Sequence, residues 1–119
     1  MRPMEAKQVL RDQFNERKLN ISENVRIRMG RKDYRVDFYL KDYKIGIITL
    51  DWNRTIPVSK ILQLERVKQA LKLKKLILVC NSISENAKEF LTYRNQINIQ
   101  VVHSSEIEKL ERKIDDFVS

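Results

Sequence analysis

The chain has 119 residues, a net charge of +8 and 34% charged residues, with only two glycines, two prolines and one cysteine. One domain over residues 1–119 is expected at this length, and the composition excludes collagen-like, low-complexity and linker proteins. A membrane protein is not expected, because no apolar run approaches the roughly 18 residues of a membrane-spanning helix. The single cysteine, Cys80, cannot form a disulfide within the chain, and this predicts a cytoplasmic protein.

Positive charge is concentrated in the first two-thirds of the sequence. Residues 1–80 hold 19 Lys and Arg against 9 Asp and Glu, whereas residues 81–119 hold 5 against 7. This one-sided excess fits an anionic partner, of which nucleic acid is the commonest. An ordinary solvated basic surface gives the same composition.

The first half of the chain is predicted to form one helix and three strands. Apolar residues at helical spacing indicate a helix over 4–18, and strict alternation indicates strands over 24–29 and 34–40, joined in a hairpin at Gly30. The alternation of the second strand places four apolar residues on one face: Tyr34, Val36, Phe38 and Leu40. A nearly continuous apolar run at 45–50 is typical of a strand at the centre of a sheet.

The second half is predicted to alternate helices with strands. Pro57 fits the first position of a helix that runs to about Leu73, because this position tolerates a residue without an N–H. Apolar strands follow at 75–80 and 97–103, and Ser84 is placed to cap a helix between them.

The elements together predict an α/β fold with a single mixed β-sheet. Three strands with tight connections form an antiparallel meander, and two later strands, each reached through a helix, extend the same sheet. Helices are expected on both faces of the sheet. The last helix is predicted to begin at the capping-box pattern Ser105-Glu106-Ile107-Glu108.

Three polar residues are candidates for a metal site. Asp37 interrupts an apolar strand, Asp51 directly follows the next strand, and Asn53 comes two residues later. Carboxylates on two paired strands are able to converge on Mg²⁺, which accepts hard oxygen ligands and keeps water that attacks a phosphodiester. The residues alone equally allow that Asp51 only ends a strand and that Asp37 faces water.

The order of the elements and these residues resemble the PD-(D/E)xK nuclease superfamily, which has the restriction-endonuclease-like fold. The resemblance covers roughly residues 4–110. It is carried by Val36-Asp37-Phe38 and by Ile47-Ile48-Thr49-Leu50-Asp51-Trp52-Asn53. The stretches PVSKILQLERVKQAL and LILVCNSISENAKEF are similar to prokaryotic Mrr-like or resolvase-like members.

The resemblance implies four catalytic residues. Asp37 matches the metal-binding Asp of the family, Asp51 matches the acidic residue of the (D/E)xK element, and Asn53 stands where the family has Lys. Lys60, in the following helix, is the candidate to replace that missing cation. The implied function is Mg²⁺-dependent hydrolysis of DNA phosphodiesters. The alternative is an inactive relative that serves as a DNA-binding or protein-assembly module.

A set of basic residues is predicted to contact the phosphates of nucleic acid. It consists of Arg26, Arg28, Arg31, Lys32 and Arg35 together with Arg54. In a hairpin of the first two strands, the first five cluster on the polar face and at the tip, which gives salt-dependent binding.

A homodimer is the remaining expectation. The last helix carries more apolar surface than the end of a chain needs, in the residues Ile107, Leu110, Ile114 and Phe117. Relatives that cut two strands often pair, so this helix is the predicted interface.

Overall fold

The computed structural model describes residues 3–50, 53–94 and 98–110. Its elements, in chain order, are α1 (Pro3–Glu16), β1 (Ile21–Met29), β2 (Lys32–Leu40), β3 (Ile45–Thr49), α2 (Val58–Ala70), β4 (Lys75–Cys80), α3 (Glu85–Tyr93), β5 (Ile99–His103) and a 3₁₀ helix (Ser104–Lys109). Within these ranges, no helix is long and apolar enough to cross a membrane.

All five strands form one mixed sheet in the order β1-β2-β3-β4-β5. The pairs β1–β2 and β2–β3 are antiparallel, and the pairs β3–β4 and β4–β5 are parallel. Each parallel pair is connected through a helix, as a crossover connection requires. The predicted meander, its two-strand extension and the α/β class are therefore confirmed.

Two apolar clusters lie on opposite faces of the sheet. The first packs α1 and the 3₁₀ helix against the sheet and includes Phe14, whose ring meets that of Phe38 edge to face at a centroid distance of 5.5 Å. The second packs α2 and α3 against the other face and includes Ile61 and Leu64. Helices on both faces were predicted, and this expectation is confirmed.

The predicted faces of the second strand are wrong at one point. Tyr34 and Val36 pack with the second cluster, whereas Phe38 and Leu40 pack with the first. The strands exchange faces between the paired residues Glu23–Phe38 and Val25–Val36, and Asn24, which lies between them on β1, has a left-handed φ of 52°. Asparagine tolerates this conformation, which breaks the period-two alternation of β1 between Ile21 and Val25, and the paired strand β2 changes faces at the same place.

The helix starts agree with the sequence in one case and differ in two. Ser84 caps α3, since its hydroxyl accepts a hydrogen bond from the Ala87 N–H at 3.1 Å. Pro57 is the residue before α2 rather than its first residue, and α2 ends at Ala70. The predicted capping box is wrong, because the imidazole of His103 accepts from the Ser105 N–H and caps the 3₁₀ helix.

The chain end does not offer the predicted apolar surface in full. Ile107 and Leu110 are fully buried in the first cluster of the chain's own core. Ile114 and Phe117 lie outside the described residues. The homodimer therefore stays a prediction, and two of its four supporting residues have another role.

Candidate active site

Asp37 is the one buried charged side chain among the described residues, with 4% of its surface exposed. The paired register of β2 and β3 extends from Leu40 and Ile45 to Phe38 and Ile47. Beyond these pairs, the side chain of Asp37, and not the backbone of β2, accepts hydrogen bonds from β3. Its Oδ2 accepts hydrogen bonds from the Thr49 N–H at 2.7 Å and from the Thr49 hydroxyl at 2.9 Å. Asp37 therefore marks the point where the two strands separate.

The other carboxylate oxygen of Asp37 faces two cations. Lys7 Nζ, on α1, lies 3.1 Å from Oδ1, and Arg35 Nε, two residues earlier on β2, lies 3.7 Å from it. The Lys7 side chain is 25% exposed and that of Arg35 is 52% exposed. Three elements thus converge on one carboxylate. Its negative charge is compensated by its own chain, as a buried charge requires.

The other predicted catalytic residues are only partly placed with Asp37. Asp51 lies outside the described residues, so the structure does not join it to Asp37. Asn53 is exposed in the turn after β3, and Lys60 is half-buried in the first turn of α2. The cations in contact with Asp37 are Lys7 and Arg35, not Lys60.

A surface depression of about 440 Å³ adjoins Asp37 through Thr49. Thr49 forms part of its wall, and so do Arg54 and Lys60. The depression lies where β3 ends and α2 begins. It therefore brings together two of the predicted basic residues with the threonine that holds Asp37.

The basic residues of the hairpin lie as the sequence suggested, with one difference. Arg26 is directly opposite Arg35 and Arg28 is opposite Asp33, so these side chains share the face turned away from the second cluster. Arg31 lies in the turn. Lys32 pairs with Met29 and belongs to the other face, although it is exposed at the tip.

The donor set around Asp37 fits a divalent cation in part. Mg²⁺ is commonly held by one or two carboxylates together with substrate phosphates. Asp37 supplies one carboxylate. Within residues 3–50, 53–94 and 98–110, no three His, Cys, Asp or Glu side chains form a group that could hold a metal ion. A cation at Asp37 has to share or displace the Lys7 contact.

A nucleophilic Cys–His arrangement is not built here. Cys80 and His103 line a second depression at the carboxyl ends of β4 and β5. Burial raises the pKa of the Cys80 thiol, which disfavours the reactive thiolate. The His103 Nδ1 is engaged by Ser105. The sequence-based expectation of a buried, inert cysteine is consistent with this environment.

Two residues of the site were missed in the sequence. Thr49 reads as an ordinary strand residue, and Lys7 reads as part of the charged side of α1. Lys7 does lie one position after Ala6 and three before Leu10, both fully buried. This spacing places it at the border of the buried stripe, which was the available signal.

Comparison with known proteins bears on this site. The model of the Mrr-type catalytic-domain family, described as a restriction endonuclease, matches residues 1–110. The chain belongs to this restriction endonuclease family. Its members have nuclease-like function and generally use a divalent metal ion. A comparison with curated proteins found no match.

Two solved structures share the fold of this restriction endonuclease family member at low sequence identity, and a third aligns with a lower TM-score. Protein VC1899 from Vibrio cholerae aligns with a TM-score of 0.60 and 14% identity, over 94% of this chain and 32% of that one. The protein of unknown function AF1548 aligns with a TM-score of 0.51 and 12% identity, over 84% and 58%. The DNA modification-dependent restriction endonuclease AspBHI aligns with a TM-score of 0.46 and 13% identity, over 94% and 35%. The chain thus spans from about a third to three-fifths of these proteins.

Proposed function

We propose that this chain binds DNA through the basic face of its hairpin and hydrolyses a phosphodiester bond at Asp37 with Mg²⁺. The observation that supports this most is the position of Asp37. The buried carboxylate lies at the end of the hairpin face that carries Arg26, Arg28 and Arg35, which is called the arginine face below. Arg35 Nε lies 3.7 Å from Asp37 Oδ1. A nucleic acid held on the arginines is thereby brought to the carboxylate.

The pairing of arginines supports an anionic ligand. Arg26 and Arg35 are cross-strand neighbours, and like charges in that position destabilise a hairpin. Among the residues described by the structure, no ion pair within 4 Å neutralises Arg26 or Arg28. Phosphate groups along a nucleic acid backbone supply the missing negative charge.

The residues proposed to hold the metal ion are Asp37 and Asp51. When bound, Mg²⁺ supplies a water of lowered pKa and neutralises charge on the phosphate. Thr49 fixes the orientation of Asp37 by donating two hydrogen bonds to Oδ2. Arg54 and Lys60 line the adjoining depression, and they are proposed to bind the phosphate. Asn53 adds no charge, so Lys60 is proposed to stabilise the charge of the transition state.

A second candidate function is DNA binding without hydrolysis. It is favoured by the contacts of Asp37, both of whose oxygens are already engaged by Thr49 and Lys7. It is also favoured by the uncharged Asn53. In this case the cluster of Asp37, Lys7, Arg35 and Thr49, called the Asp37 cluster below, holds α1 to the sheet, and the hairpin binds the DNA. This second candidate includes assembly with a protein partner, such as a second copy of the chain.

One experiment separates the two candidates. Cleavage of plasmid, single-stranded and branched DNA is measured with Mg²⁺ or Mn²⁺, beside a salt-titrated binding assay, for wild type, Asp37→Asn and the exposed control Asp33→Asn. Hydrolysis predicts metal-dependent products that Asp37→Asn abolishes while DNA affinity is kept. Binding without products in the wild type supports the second candidate. A wild type that neither binds nor cuts DNA contradicts both.

A further inference from the structure

The contact between Lys7 and Asp37 carries an inference about metal affinity, which rests on the metal site proposed above. Oδ2 of Asp37 is taken by Thr49, so Oδ1 is the oxygen left for a cation, and Lys7 Nζ lies 3.1 Å from it. We propose that Lys7 is a resident counter-ion that a divalent metal must displace. Lys7 thereby sets the affinity of the site for metal.

The burial of Asp37 explains why a resident cation is present. With 4% exposure, an ionised carboxylate needs a compensating charge whenever no metal is bound. Arg35 provides less of this charge, because it is 3.7 Å away and half exposed. The Lys7 ammonium is closer and more buried, and therefore is the principal counter-ion.

The position of Lys7 allows it to leave without any backbone movement. Its Cα is fixed because α1 is anchored by the fully buried residues Ala6, Leu10 and Phe14. Its own side chain is 25% exposed at the border of that anchored stripe. A lysine has a flexible four-carbon stem, so rotation of the side chain is enough to move the ammonium toward solvent or a bound phosphate.

Manganese binding tests the proposal without any measurement of cleavage. The dissociation constant for Mn²⁺ is measured by calorimetry or by electron paramagnetic resonance for wild type, Lys7→Met, Lys7→Arg and Lys60→Met. Lys7→Met is expected to bind Mn²⁺ at least about tenfold more tightly, because it removes the competing cation and keeps the apolar stem. Lys7→Arg keeps the charge and should stay within about threefold of wild type.

Lys60→Met is the matched control for net charge. It removes one positive charge from the adjoining depression, while the direct contacts of Asp37 come from Lys7 and Arg35. Its effect on the Mn²⁺ dissociation constant is expected to be less than about threefold. An equal gain in Lys60→Met and Lys7→Met overturns the proposal, because it assigns the effect to general charge.

Thermal unfolding gives a second, independent readout. In EDTA, Lys7→Met should melt below wild type because the Asp37 carboxylate has lost its nearest counter-ion, and excess Mn²⁺ should raise its melting temperature more than that of wild type. Unchanged Mn²⁺ affinity in Lys7→Met, with binding still lost in Asp37→Asn, overturns the counter-ion role and leaves the metal site standing. Absence of Mn²⁺ binding in every variant overturns the metal site and the counter-ion role together.

Discussion

The Asp37 cluster and the arginine face of the hairpin handle charge in opposite ways. At Asp37, a buried carboxylate is neutralised by Lys7 and held by Thr49 from the same chain. On the hairpin, Arg26 and Arg28 are exposed and form no ion pair with any residue that the structure describes. Charge is compensated internally in the first region and is left available for a ligand in the second.

This contrast assigns different roles to the two regions. A compensated, buried carboxylate contributes to folding and positions a reactive group, and its removal leaves buried donors without a partner. An uncompensated, exposed basic surface contributes little to folding and much to association with a polyanion. Variants in the two regions should therefore separate stability from DNA affinity.

The largest expected effect concerns DNA affinity on the hairpin. Simultaneous Arg26→Glu, Arg28→Glu and Arg35→Glu should weaken DNA binding by at least about a hundredfold near 0.1 M salt and reduce the salt slope by up to about three. The measurement is a salt-titrated binding assay. The control is Lys74→Glu, which changes an exposed lysine just before β4. Lys74 lies at the amino end of this strand, whereas the depressions lie at the carboxyl ends of β3, β4 and β5. Unchanged affinity in the triple variant removes the hairpin from the binding surface.

The next effect concerns the stability of the Asp37 cluster. Asp37→Ala leaves the Thr49 N–H without its acceptor and Lys7 without its counter-ion, so the free energy of unfolding should fall by about 1–3 kcal/mol. Urea unfolding of this variant is compared with that of Asp33→Ala, an exposed acid on the same strand, which should stay within about 0.5 kcal/mol of wild type. Equal stabilities of the two variants would contradict a structural role of Asp37.

A smaller effect of opposite sign is expected at Arg26. Arg26→Thr removes the like-charge pair with Arg35 and introduces a residue that favours strands. The free energy of unfolding should rise by about 0.2–1 kcal/mol while DNA binding weakens. Chemical denaturation and DNA titration of the same preparation check both changes. A loss in both quantities would show that Arg26 supports the hairpin itself.

Cys80 belongs to neither region and provides a reference on which the smallest change is expected. It is 1% exposed, and burial raises the pKa of its thiol. Because the thiol's pKa is higher in the folded chain than in the unfolded chain, its contribution to stability is intact below the ordinary thiol pKa and is lost as the pH rises above it. Reaction with a thiol reagent at pH 8 should follow global unfolding, so Arg26→Thr should differ from wild type only by the small gain in stability expected for that variant. Fast labelling of the native protein would contradict the buried position.

Much of the fold follows from the sequence because its signals are local. The apolar run of β4 was predicted with its observed ends, and the Ser84 cap needs only the residues next to it. The exchange of faces at Asn24 and Asp37 was not predictable from alternation, because it depends on a left-handed backbone within a strand. The cap by His103 was also missed, because histidine is not a preferred N-cap residue, whereas Ser105 and Glu108 have the spacing of a capping box.

The site was predictable in part. Asp37 stands out because a carboxylate interrupts an apolar strand, and the hairpin arginines follow from the alternation of β1. Lys7 could not be assigned to Asp37, because the contact depends on how α1 lies across the sheet. Thr49 was missed for a similar reason, since its role arises only where β2 and β3 separate.

The proposal that the hairpin binds DNA and that Asp37 takes part in its hydrolysis is tested most directly by single-turnover DNA cleavage at saturating protein with Mg²⁺. Saturation removes differences in affinity, so the rate constant reports the chemistry alone. The Arg26→Glu, Arg28→Glu double variant is expected to cut at the wild-type rate once the DNA is saturated, whereas Asp37→Asn is expected to bind DNA fully and not to cut it. A wild-type rate in Asp37→Asn, or a double variant that stays slow at saturation, would contradict the assignment of DNA binding to the hairpin and of the chemistry to Asp37.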